Sequence, residues 1–84
     1  MSYQESFISY LKYEKRYSSH TVVAYKKDLD QFVDFYTNTV GEFSVKEVSS
    51  KLVREWIVNL MQQELSARTV NRKVTTLKLS LIHI

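Results

Sequence analysis

Ser66-Ala67-Arg68-Thr69-Val70-Asn71-Arg72-Lys73-Val74-Thr75-Thr76-Leu77-Lys78 is the stretch from which the fold is read. Its apolar residues recur at three- and four-residue steps, the period of a helix and not of a strand. At roughly 100° per residue, Ala67, Val70, Val74, Leu77 and Leu81 share one side. Arg68, Arg72, Thr75, Thr76 and, further round, Thr69 share the other. Ser66 stands where an N-cap belongs, with a hydroxyl to accept an orphan backbone N–H. No Asp or Glu follows Glu64, so Arg68, Arg72, Lys73 and Lys78 have no counter-charge nearby in sequence. A merely solvated helix face usually mixes both charge signs, and threonine is a mediocre helix former. A helix that packs by one flank and offers guanidinium and hydroxyl donors on the other suits a polyanion, with duplex DNA the leading candidate.

The same period runs upstream. Tyr3, Phe7, Tyr10 and Leu11 predict a first helix over about Ser2 to Arg16, with Lys12, Lys15 and Arg16 at its dipole-favoured end. Val22, Tyr25, Leu29, Phe32 and Tyr36 form a continuous seam over a second, about Thr21 to Thr37, preceded by the capping serines Ser18 and Ser19. The irregular stretch from Asn38 to Val48 holds the sole glycine, Gly41, suited to ending the helix or turning the loop. Phe43, Val45 and Val48 are expected to plug that loop into the core. Ser49 or Ser50 caps a third helix over about Lys51 to Gln63, with Val53, Trp56, Ile57, Leu60 and Met61 as its buried stripe.

Composition agrees with these segments. A chain of 84 residues with 44% hydrophobic and 13% aromatic content supports one packed domain. One Gly and no Pro leave little turn chemistry for hairpins, and the lack of Cys excludes a disulfide scaffold or a thiolate metal site. The expected fold is all-α: a compact four-helix bundle with short connections.

The net charge of +3 is modest, but the acids crowd the first two thirds while the last twenty residues are purely cationic. On the second helix, His20, Ala24, Lys27 and Gln31 lie opposite the seam, with Lys26 to one side. Asp28, Asp30 and Asp34 share that helix, as on an ordinary wet face. Two such helices can straddle one groove, and Ser18, Ser19 and Thr21 sit at a helix start that favours anions. Other chemistries find no support. His20 and His83 are too few for a metal site, no glycine-rich phosphate loop exists, and the six tyrosines read as packing aromatics. No catalysis, cofactor, metal or small-molecule substrate is expected. No apolar run approaches the ~20 residues of a membrane span. Met1-Ser2-Tyr3-Gln4-Glu5 lacks the basic and apolar regions of a signal peptide, so the chain reads as cytoplasmic.

Phe7-Ile8-Ser9-Tyr10-Leu11 with Glu14-Lys15, then Ser18 to Phe32, and later Leu65 to Lys78, resemble the opening of tyrosine recombinases and phage-type integrases of the Xer type. The resemblance spans about Ser2 to Lys78 and implies the N-terminal core-binding domain, a SAM-like four-helix bundle. It further implies that this domain and a catalytic domain close around duplex DNA as a clamp during recombination or integration. By position it assigns DNA contacts to Thr21, Lys26 and Lys27 on helix two. On helix four it assigns them to Arg68, Thr69, Asn71, Arg72, Lys73 and Thr76. Helix one is implied to touch neighbouring protomers. The family's catalytic arginines, lysine, histidines and tyrosine have no counterpart here, so the chain is expected to bind and not to cleave. Leu79 to Ile84 departs from the family's aromatic-rich continuation and reads as a truncated end or foreign tail. The rival reading is a helical protein-interaction bundle that uses the aromatic surface around Tyr13 and Tyr17 without touching DNA.

Overall fold

Every helix begins on a serine. In a computed structural model, which describes residues 2–83 and only the backbone of His83, four hydroxyls each accept a backbone N–H three residues on. Ser2 caps at 3.1 Å, Ser18 at 3.3 Å, Ser49 at 3.1 Å and Ser66 at 3.2 Å. They open α1 (Tyr3–Ser9), α2 (Ser19–Thr39), α3 (Ser50–Gln62) and α4 (Ala67–His83). A cap satisfies a donor that the helix itself cannot, worth about 1 kcal/mol. Helix two is longer than its periodicity suggested, by two residues at each end. The metal reading of the His83 side chain, and Met1 and Ile84, lie outside the described residues.

Two of the three connections between these helices turn without a glycine. Past Ser9 the first helix widens into a π-helical turn, Tyr10–Glu14. Arg16 then adopts φ 53°, and the Tyr17 N–H reaches back to the Leu11 carbonyl at 3.1 Å. Glu64, after α3, sits at φ 59°. Gly41, at φ 129°, turns the loop beyond α2 with open space around it and does not occupy a left-handed helix cap. Left-handed backbone costs a residue with a Cβ roughly 1 kcal/mol relative to glycine. Glu64→Gly should therefore stabilise the domain, raising its thermal midpoint by about 4 °C; calorimetry of the variant tests this.

The bundle buries two clusters. Phe32, Tyr36, Leu52, Trp56, Leu60, Val70 and Leu77 join α2, α3 and α4, with Phe43 and Val48 of the loop packed on them. Phe7, Leu11, Val22 and Leu29 join α1 to the first half of α2, with Leu79 of α4 against them. Leu52, absent from the sequence-read stripe of α3, is buried, whereas Met61 is 64% exposed and Ala67 lies outside the core. The Tyr3 ring lies 5.5 Å from that of Phe43, tilted by 33°, and its hydroxyl lies by that of Ser80. Burial raises the Tyr3 pKa and the Ser80 contact opposes the rise. Residues 79–83 continue α4, with Ser80 wholly buried. Among the described residues the fold is all-α, and no helix is long and apolar enough to cross a membrane.

Candidate nucleic-acid interface

A buried carboxylate joins the two helices that the sequence singled out. Asp28, in the middle of α2, has no exposed surface and accepts from four donors, all on α4. Arg72 binds it side-on, Nε to Oδ2 at 3.0 Å and Nη2 to Oδ1 at 2.9 Å. Lys73 Nζ reaches Oδ1 at 3.0 Å and also donates to the Gln31 side-chain oxygen. The Thr76 hydroxyl lies 3.0 Å from Oδ2 and 3.0 Å from the Arg72 carbonyl, with one proton to donate to either. Ionic hydrogen bonds of this kind are roughly twice as strong as neutral ones. Hydrogen bonding to Asp28, against the opposing effect of burial, raises the pKa of Arg72 above its ordinary value.

This geometry corrects the outward-facing assignment at two positions. Lys73 is 6% exposed and Thr76 is fully buried, so neither side chain stands on the surface. Nor are Arg72 and Lys73 without a counter-charge: helix two supplies it, 44 and 45 residues away. The outer stripe of α4 is instead Arg68, Asn71, Thr75 and Lys78, all exposed, with Arg72 at its edge. Thr75 and Lys78 were absent from the resemblance-based contacts. Their signal was available in the helical period, since both fall within about 80° of Arg68.

On α2, His20, Lys27 and Gln31 are exposed on the flank bordering α4, and Ala24 is half-buried there. Lys26 is not brought to this flank. It lies about 160° round the helix from Asp28, pairs with Asp30 at 2.8 Å, and lines a groove against α1 with Ile8, Lys12 and Val23. Its pKa is raised by the hydrogen bond to Asp30. Thr21 and Thr69 stand in the first turns of α2 and α4, each sharing a hydroxyl hydrogen bond of 3.0 Å with its capping serine. Among the described residues Lys27, Arg68 and Lys78 hold no ion pair.

Lys27 and Arg72 thus border the α2/α4 junction and Arg68 stands on the outer face of α4, while Lys78 lies further round, beside Val48, Val53 and Arg54 towards α3. Residues 5–79 match the phage integrase N-terminal SAM-like domain. The chain belongs to that family. It is 41% identical over 76 residues to the tyrosine recombinase XerC of Oceanobacillus iheyensis, covering 90% of this chain and 25% of the relative. XerC of Halalkalibacterium halodurans is 40% identical over 74 residues, covering 87% of this chain and 24% of the relative. XerD of Rickettsia conorii is 30% identical over 78 residues, covering 93% and 25%. The chain spans about a quarter of the length of these relatives. No solved structure matches it significantly. Asp28, Arg72, Lys73 and Thr76 all fall inside the part matched to the SAM-like domain family.

Proposed function

We propose that this SAM-like domain is the core-binding module of a site-specific tyrosine recombinase, holding one side of a duplex through α2 and α4. The observation that carries the reading is the exposed, unpaired cationic stripe of α4 beside Lys27 of α2. Lys27, Arg68 and Lys78 neutralise phosphates, while Asn71, Arg72 and Thr75 present donors to phosphate oxygens or base edges. Thr21 and Thr69 add hydroxyls at the positive ends of their helices. Lys73 and Thr76 serve from within, by fixing α4 on α2. In this reading residues 1–78 form the module. Strand cleavage and joining belong to a catalytic domain elsewhere in the parent, other protomers assemble on the same DNA, and the site of action is the cytoplasm.

Four surface cations imply a slope of log affinity against log salt of about −3 to −4. Arg68→Ala and Lys78→Ala should each weaken binding to any short duplex and reduce that slope by about one, leaving the thermal midpoint in place. Lys26→Ala should change neither quantity. A titration monitored by amide chemical shifts at two salt concentrations tests all three. Unmoved α4 signals, or a Lys26 effect equal to that of Arg68, would reject this face.

A second reading has its own support. Tyr13 is 75% exposed, and Val23, 54% exposed, lines a groove with Ile8, Lys12, Tyr17 and Lys26. That apolar surface lies on the α1 side of α2, away from the cationic flank, and fits protein docking. Shifts confined to α1 and absent from α4 on adding duplex would favour it.

A further inference from the structure

The structure assigns Asp28 as a positioning residue: it fixes the Arg72 guanidinium so that its outer edge meets a pair of acceptors on duplex DNA, while buried Lys73 cancels the carboxylate's charge. This deepens the DNA-binding reading and rests on it. Two parallel bonds to one carboxylate define the plane of the guanidinium and occupy Nε and one Nη2 proton. Nη1 and the second Nη2 proton form the adjoining end-on edge, which among the described residues holds no hydrogen bond or ion pair. The Arg72 side chain is 44% exposed, whereas the carboxylate behind it has no exposure. An arginine held this way has already lost the rotamer freedom that binding would otherwise cost.

Charge decides what Lys73 is for. An isolated Asp28–Arg72 pair would be neutral and would attract an anion poorly. Lys73 makes the group one carboxylate and two cations, so the net charge is a single positive one, and the only part near solvent is Arg72. Lys73 therefore offsets Asp28 from inside and leaves Arg72 effectively cationic. Thr76 and Gln31 hold the other two members in register. A planar edge with parallel N–H groups matches two adjacent acceptors. On a duplex these are guanine O6 and N7 in the major groove, or two oxygens of one phosphate.

The test uses the whole chain and a pool of short duplexes randomised in sequence, from which bound members are recovered. Asp28→Asn combined with Lys73→Met removes both buried charges together, so that no charge is stranded. The expected result is a folded protein whose affinity for the recovered duplexes falls about tenfold, with its preference among sequences flattened. In an Arg72→Ala background the same pair of changes should cause no further loss. Should the double variant bind like the parent, or should its loss add fully to that of Arg72→Ala, Asp28 is merely structural and the proposal is overturned. If the double variant does not fold, Asp28→Glu keeps every charge but displaces the guanidinium by one methylene. Undiminished preference in that variant also overturns the proposal. Guanine replaced by 7-deazaguanine, and phosphates replaced by methylphosphonates, distinguish the two acceptor sources by which one abolishes the Arg72 effect. Failure of the parent reading looks different: the unmodified chain would not bind the pool, and Arg68→Ala would change nothing.

Discussion

Asp28→Ala is expected to cost about 3–5 kcal/mol, because it strands the Lys73 ammonium in the interior. Total stabilities of small domains are only about 5–15 kcal/mol, so this variant should be largely unfolded at moderate temperature. The charge that each deletion leaves behind sets its cost. Without Asp28, Lys73 at 6% exposure keeps only the Gln31 amide oxygen as a partner. Without Lys73, Asp28 keeps both bonds from Arg72; without Arg72, it keeps the bond from Lys73. Lys73→Met and Arg72→Ala should therefore each cost much less than Asp28→Ala, and Asp28→Ala with Lys73→Met should recover part of the loss. Urea unfolding of the four variants, followed by circular dichroism, gives the order directly. Equal costs for Asp28→Ala and Lys73→Met would mean that the carboxylate, not the ammonium, sets the energetics of the network.

The serines at positions 2, 18, 49 and 66 show which part of the fold is written locally. A cap depends on a hydroxyl and the next three residues, so the start of each helix is legible without knowing what it packs against. The seam of α2 is legible for a related reason: Val22, Leu29, Phe32 and Tyr36 repeat with the helix and all are buried. The α2/α4 network is not local. Arg72, Lys73 and Thr76 look like surface donors because their acceptor lies 44 or more residues away. Asp28 in turn looks like one more wet carboxylate beside Asp30 and Asp34. One hint existed: Asp28 lies within about 40° of Phe32 on the helical period, at the edge of the buried seam rather than opposite it. The left-handed turns at Arg16 and Glu64 left no such trace, since nothing in those side chains requests that backbone.

Phe32→Ala should be the most damaging apolar truncation, at about 3–5 kcal/mol for a buried aromatic. The Phe32 ring has no exposure and meets three others: Trp56 at 5.0 Å and 73°, Tyr36 at 6.4 Å and Phe43 at 6.5 Å and 88°. Edge-to-face pairs contribute about 0.5–1.5 kcal/mol beyond area burial, and the ring joins α2, α3 and the loop at one point. By contrast Tyr13→Ala, at a 75% exposed position, should stay within about 0.5 kcal/mol of the parent. The Phe32 variant also separates stability from recognition. Phe32 follows Gln31 in the chain but is turned about 100° from it, into the aromatic cluster and away from solvent. Its DNA affinity should therefore fall only in proportion to the unfolded fraction and return when the domain is stabilised by cooling or by Glu64→Gly. Loss of binding by a fully folded Phe32→Ala protein would show that the aromatic cluster sets the angle of α2 against α4, and with it the shape of the cationic flank.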